Sequence, residues 1–356
     1  MPTLITGGCG FIGINLAHRL LSAGRAVHLY DSLASPGSER NLHWLRERHK
    51  AAAQDGLLTS EIADLRDWRT LSHTLKNASE VYHLAAQERV SISRQDPLID
   101  FEVNALGTVR LLNAIRESGR RIPVIFTSSS KVYGPLSGLK LKADGNRYRP
   151  CDRKFKGIDE QFPINPEGPY GCSKAVGDLY TLDFVRTYGL SAVGFRLGSV
   201  YGPNQLGSED QGWVVHLMLQ ILRGQPITIY GDGKQVRDLL HVEDLVTALM
   251  LAQTFMERIK GQAFNLGGGQ GNSMSLIEFL ELTGRIGGRV PHVKFAPWRL
   301  GDQRYYVTDF TKFQQATRWA PRNGIRDGLD QLRNWMVETF QAPPTMAPRM
   351  PVSWSV

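Results

Sequence analysis

Thr3-Leu-Ile-Thr6 runs without a break into Gly7-Gly-Cys-Gly10-Phe-Ile-Gly13. The first four residues read as a short buried strand. After the glycines, Ile12, Leu16, Leu20 and Leu21 recur at helical spacing as far as Gly24, a C-terminal stop. Strand, glycine turn and helix in this order are the context a dinucleotide-binding βαβ unit needs, although a glycine pattern by itself is weak evidence for one. Gly7 permits the tight turn, Gly10 lets backbone approach a pyrophosphate, and Gly13 lets the helix pack closely. Phosphate oxygens would sit on the free N–H groups of the helix start.

The rest of the chain continues the same pattern. A second strand over 26–30 ends at Asp31, 18 residues after Gly13. A carboxylate there accepts both adenosine ribose hydroxyls and repels a 2′-phosphate, which favours NAD over NADP; the plainer alternative is a turn residue. Asp64-Leu65 is placed to hold the adenine edge. Val81-Tyr-His-Leu-Ala-Ala86 reads as another buried strand and turn, with His83 as a packed core histidine. Residues 104–117 read as a helix with one buried stripe of Leu106, Leu111, Leu112 and Ile115. A strand over 124–127 is followed by Ser128-Ser129-Ser130, at the sheet edge where open parallel sheets bind ligands. Its alternative is a serine-rich turn.

Alternating strand and helix signals run to about Arg196, so the fold class is α/β, a doubly wound parallel (Rossmann) sheet. Beyond it Gly202-Pro-Asn, Gly231-Asp-Gly and Gly267-Gly-Gly punctuate shorter elements, as expected of a smaller α/β lobe closing over the first. The boundaries follow: 1–195 with about 235–260 in the dinucleotide domain, about 196–234 and 261–340 in the lobe, and a proline-rich tail over 341–356.

Net charge is +8, yet the basic residues are not gathered into one run. This points to anionic small molecules or plain solubility, and no nucleic-acid partner is expected. The densest basic stretch, 147–156, reads as a solvated loop. Cys9, Cys151 and Cys172 have no metal-ligand spacing, so no metal is expected and a reducing cytoplasm is inferred. No apolar run approaches about 18 residues, so no membrane span or signal peptide is expected.

Tyr170-Gly-Cys-Ser-Lys174 puts a phenol and an ammonium on one helix face. Alone, this is also the pattern of an ordinary surface helix. A phenol is a poor base at neutral pH unless nearby positive charge lowers its pKa. With that help it can take a proton from a sugar hydroxyl as a hydride leaves the same carbon.

Taken together, Thr6–Gly13, Asp31, Asp64-Leu65, His83-Leu-Ala-Ala86, Ser129 before Val132-Tyr-Gly134, Tyr170-x-x-x-Lys174 and Arg237-Asp-x-x-His241 resemble the extended short-chain dehydrogenase/reductase family, in its order and over nearly all of residues 3–335. The resemblance implies an NAD-dependent enzyme acting on a nucleotide sugar. It assigns Tyr170 as base, Ser129 as the holder of the reacting oxygen, and Lys174 as the group that binds the nicotinamide ribose and lowers the tyrosine pKa. Cofactor contacts would come from Gly7, Gly10, Phe11, Ile12, Gly13, Asp31, Asp64, Leu65, Leu84, Ala85, Ala86 and Asn104, with Tyr170 and Lys174. Substrate contacts would come from Gln87, Ser129, Ser199, Gln211, Trp213, Arg237 and Arg304. The two arginines match a pyrophosphate, or else are surface ion pairs; Trp213 is equally readable as a core residue.

Within the family, dehydratases carry an Asp-Glu pair beside the reacting hydroxyl and uronate decarboxylases a glutamate. Here Ser130-Lys131 follow Ser129, which leaves redox without elimination, an epimerase or simple dehydrogenase. Asn41-Leu-His-Trp44, Lys131-Val-Tyr-Gly134, Asp210-Gln-Gly-Trp-Val214, Gly233-Lys-Gln-Val-Arg-Asp238, Asp302-Gln-Arg304 and the long 135–169 segment resemble the branch that inverts C2 of CDP-dideoxyhexoses. A UDP-sugar 4-epimerase is the alternative; a non-catalytic NAD-binding regulator would lack Tyr170 or Lys174, and both are present. Ser129 and Ser130 stand where that branch suggests threonine and asparagine. Helices near 104–118 and 170–188 resemble those that pair family members into homodimers; further assembly to a tetramer is open.

Overall fold

The computed structural model describes residues 1–209, 211–288, 292–299 and 301–340; Asp210 and the proline-rich 341–356 stretch lie outside them. Seven parallel strands form the central sheet, in the order Ala263–Leu266, Ala192–Leu197, Val124–Ser129, Glu80–His83, Thr3–Thr6, Val27–Asp31 and Leu58–Ile62. The chain order reverses between Thr3–Thr6 and Glu80–His83. That switch point opens a crevice at the carboxyl ends of the strands.

The strands are apolar because helices cover both faces. Leu4, Ile5, Leu29, Val81, Tyr82, Ile125 and Val193 are all fully buried. On one face, the Phe11–Ser22 helix sets Ile14, Leu16, Ala17 and Leu20 into the core beside the Val242–Thr254 helix. On the other, Leu111, Leu112 and Ile115 of Gly107–Glu117 pack with Leu71 and Leu75. The helix expected over 104–117 keeps its buried stripe at these leucines, but its first turn belongs to a π-helical segment, Phe101–Leu106.

The helix that carries Tyr170 and Lys174, Gly168–Tyr188, is held to the sheet by a buried ion pair. Arg196 donates Nε and Nη2 to Asp178 Oδ2 at 2.9 and 2.7 Å, and Nη1 to the Tyr133 hydroxyl. Removing one partner of such a pair typically costs about 3–5 kcal/mol, so the helix cannot shift without stranding a charge. The site inherits that rigidity.

Two boundaries differ from the sequence reading. Ala263–Leu266, expected in the second lobe, is the edge strand of the large sheet, paired with Ala192–Leu197. Val236–His241, expected in the dinucleotide domain, belongs to the smaller sheet, between Ser199–Tyr201, Ser273–Ser275 and Tyr305–Tyr306. The chain crosses between the lobes more often than its glycine punctuation suggests. The lobe has its own core of Val214, Leu217, Met218, Ile221, Phe279 and Leu332.

The basic 147–156 stretch is an exposed loop only from residue 151 onward. Arg147–Pro150 pairs with Leu141–Asp144 as an antiparallel hairpin. Leu141 and Tyr148 pack against Val236, Tyr305 and Val307, the Tyr148 N–H bonds Lys234 O at 3.0 Å, and its hydroxyl reaches Asp232 at 2.6 Å. Alternation supplies an apolar face that the density of positive charge masks.

Candidate active site

The turn after the first strand is built as the glycines require. Gly7 has φ +68, and a Cβ on it would lie 2.7 Å from the Ala85 nitrogen. A Cβ on Gly13 would lie 2.3 Å from the Gly7 carbonyl oxygen. Gly10 caps the Phe11–Ser22 helix with no side-chain hydrogen bond, and no acidic residue stands in the first turn. The helix start therefore keeps its N–H groups and positive dipole end for an anion. Asp31 lines the same crevice, its carboxylate oriented by the N–H groups of Cys9 and Leu33 at 2.9 and 2.8 Å. Burial raises its pKa, and those backbone bonds oppose the shift. These features fit an NAD adenosine and pyrophosphate.

The crevice opens into a cleft of about 850 Å³ between the sheet edge and the second lobe. Gly7, Gly10, Phe11, Ile12, Gly13, Asp31, Asp64, Leu65, Leu84, Ala85 and Ala86 line its cofactor side. Gln87, Ser129, Tyr170, Lys174, Ser199, Gln211, Trp213 and Arg237 line the remainder. Asp64 is tied to Arg66 at 2.9 Å, and that hydrogen bond holds its pKa down. Trp213 donates to the Ser199 hydroxyl at 3.4 Å and packs edge-on against Phe279, so it serves both lobe core and cleft wall.

Two expected contacts fall elsewhere. Asn104 is buried behind the wall, its amide bracketing the backbone of Gln87 at 2.8 and 2.9 Å and reaching Ser173 Oγ at 2.9 Å. It fixes the loop that lines the cleft instead of lining it. Arg304 is exposed, its guanidinium over the rings of Tyr148 and Trp298, 5.7 and 5.4 Å from their centroids. The docked hairpin holds it outside.

Tyr170, Ser129 and Lys174 come together at the carboxyl edge of Val124–Ser129. Ser129 and Tyr170 line the cleft together, and the Ser129 hydroxyl is close enough to Tyr170 to favour its phenolate. Lys174 Nζ donates to Thr127 O at 2.5 Å and lies over the Phe126 ring. Burial pulls the Lys174 pKa down to about 8, against the raising influence of Glu88 and Asp178. The expected lowering of the tyrosine is not produced by the protein's own groups. Burial first, then the Glu88 and Asp100 charges, push Tyr170 above its ordinary value, opposed by the nearby Ser129 hydroxyl. His83 is the packed histidine its surroundings suggested: buried, bonded to Thr6 and Thr108 hydroxyls at 2.7 and 3.0 Å, and held by desolvation at about 3.

Sequence reasoning missed two residues. Lys131 lines the cleft close to Arg237; burial and that arginine's charge lower its pKa. Glu88 also lines the cleft, on the loop after Glu80–His83. The absence of an acid at 130–131 is therefore not the absence of a carboxylate from the cleft.

A parallel sheet with a glycine-capped helix at its switch point, and a Ser-Tyr-Lys set at the same edge, defines a dinucleotide-dependent oxidoreductase-type enzyme. The comparisons agree. The chain belongs to the NAD dependent epimerase/dehydratase family, within the extended short-chain dehydrogenases/reductases; the match spans residues 3–267. It is 37% identical to a CDP-paratose 2-epimerase of Salmonella typhi over 342 residues, covering 94% of this chain and 99% of that protein. Among solved structures it is similar to a UDP-glucose 4-epimerase of Thermotoga maritima with UDP-glucose, with TM-score 0.81, 29% identity, and 96% and 100% of the two chains covered. It is also similar to a Thermus thermophilus UDP-glucose 4-epimerase in complex with NAD, with TM-score 0.78, 31% identity, and coverage of 95% and 100%. The protein is an NAD-dependent enzyme of this family.

Proposed function

We propose that the protein inverts C2 of a CDP-linked dideoxyhexose, of the CDP-paratose to CDP-tyvelose type, by transient oxidation with retained NAD. The observation that carries the reading is the end-to-end likeness to a CDP-paratose 2-epimerase, with the Ser-Tyr-Lys set assembled at the cleft edge.

A C2 hydrogen with no adjacent carbonyl is not acidic, so a base alone cannot invert it. Bound NAD supplies a hydride acceptor that becomes the donor on return, and its cationic ring favours the phenolate that the protein alone disfavours. Tyr170 takes the C2 hydroxyl proton while Ser129 hydrogen-bonds the same oxygen as it gains charge. Lys174, as an ammonium, holds the nicotinamide ribose. The flat 2-keto sugar then presents its other face, and Tyr170 returns the proton. Arg237, with Lys131 nearby, supplies cations for the substrate pyrophosphate. Gln87, Ser199, Gln211 and Trp213 form the sugar-side wall.

The test offers CDP-paratose and UDP-glucose separately to purified protein without added cofactor and follows the anomeric proton. A new signal of manno type from the CDP sugar supports the reading. Turnover of UDP-glucose at C4 alone would hand it to the 4-epimerase alternative.

The proposal includes a homodimer. Leu179, Tyr180 and Tyr188 on the Gly168–Tyr188 helix are exposed large apolar side chains on one of the helices expected to pair, and Leu98 and Phe101 are exposed just before the other. Sedimentation at assay concentration should give twice the chain mass; a monomer would remove this part. No helix among the described residues is long and apolar enough to cross a membrane. A cytoplasmic location remains part of the proposal.

A further inference from the structure

Residues 202–206 follow the Ser199–Tyr201 strand of the smaller sheet and cross to the glycine turn of the first lobe. Two asparagines meet them there. Asn15 Nδ2 donates to Phe11 O at 2.8 Å and to Pro203 O at 2.9 Å. Asn41 Nδ2 donates to Cys9 O at 3.1 Å and to Asn204 O at 3.2 Å. Each amide nitrogen carries two hydrogens, and each gives one to the turn and one to the second lobe. The two turn carbonyls flank Gly10, where the helix start faces a phosphate. Carbonyl oxygens need donors, which fixes the orientation of both amides. Asn204 has φ +68, a left-handed backbone that asparagine tolerates, and this bends the loop toward the turn.

The contact extends along one face of the Ser38–Arg48 helix, where Gly37, Arg40 and Asn41 are neighbours by spacing. Leu206 sits against Gly37, and a Cβ there would overlap its Cδ1. Arg40 lies over the rings of Trp335 and Phe340, 5.4 and 5.3 Å from their centroids. Gln205, within the loop, lines the cleft together with Gly10 and Phe11. The loop is therefore one wall of the space that fits NAD, and the asparagines pin that wall to the turn.

We propose that Asn15 and Asn41 are positioning residues that clasp the 202–206 loop onto the phosphate turn and so set how long NAD stays bound. They take no part in the proton transfer. For a dinucleotide to leave the turn, the wall carrying Gln205 has to move, and the Pro203 and Asn204 carbonyls then lose their donors. This inference rests on the retained-NAD reading above but not on which sugar carbon is inverted.

Holoenzyme is mixed with excess NADH, and energy transfer from tryptophan to bound NADH follows the departure of NAD. Asn15→Ala and Asn41→Ala should both fold, since alanine favours the helices that carry these positions. Each is expected to release NAD about tenfold faster than wild type, and the double variant faster still. Arg40→Leu loosens the same interface without touching the turn and should exchange near the wild-type rate. Dissociation within about twofold of wild type in the double variant overturns the proposal, whatever the melting temperature does. An equal acceleration in Arg40→Leu also overturns it, because release would then follow general loosening of the lobes. Wild type that exchanges its NAD as fast as the solutions mix sinks the retained-cofactor reading itself. That result is distinct from slow exchange that ignores the asparagines.

Discussion

Tyr170→Phe is expected to fold, retain NAD, and lose about 10²–10⁴-fold in turnover. The substitution removes one oxygen and leaves the ring on the Gly168–Tyr188 helix, whose placement depends on Asp178, Arg196 and Lys174 and not on the phenol. Stability should hardly move, because only a phenol oxygen on the cleft wall is lost. Turnover with retained cofactor absorbance and an unchanged melting temperature separates the chemical role from a structural one. Activity within tenfold of wild type would remove Tyr170 from the position of base.

Gly13→Ala should act on the other half of the site. A Cβ at residue 13 would stand 2.3 Å from the Gly7 oxygen and 2.8 Å from the Gly8 Cα, both backbone atoms that cannot rotate away. The helix start must move off the strand, at a cost of about 1–3 kcal/mol, and the N–H groups that face a pyrophosphate move with it. The variant is expected to melt earlier and to be purified with little bound NAD, so that activity appears only when NAD is added. Gly271→Ala is the control, since nothing lies within 4 Å of its added carbon and its φ is ordinary. Equal NAD retention in Gly13→Ala and wild type would contradict the phosphate-cradle account.

What could be read from the chain alone followed local physics. The Thr3–Thr6 strand, the turn at Gly7 and the Phe11–Ser22 helix are set by residues adjacent in sequence, and the structure repeats them almost residue for residue. The Tyr170–Lys174 pair was legible because four residues make about one helical turn. Legibility failed where distant segments decide. Ala263–Leu266 looks like any short strand, and only its partner Ala192–Leu197 says which sheet it joins. The 141–150 hairpin is a weak alternation that becomes structure by docking on Val236 and Tyr305. Asn104 and Arg304 have suitable chemistry, but one is turned inward to Gln87 and the other clasped by Tyr148 and Trp298. Glu88 had no signal of its own in Gln87-Glu-Arg89; the loop that Asn104 pins brings it into the cleft.

The central claim is inversion through transient oxidation with NAD that never leaves. It is tested most directly by running the reaction in D₂O with CDP-paratose and no added cofactor, following the H1–H2 coupling by proton NMR. The account predicts a product with the manno-type coupling that still carries protium at C2, because the hydrogen leaves as hydride and returns to the same carbon. Deuterium at C2 would mean that the hydrogen had exchanged with solvent. The transient-oxidation account would then be wrong.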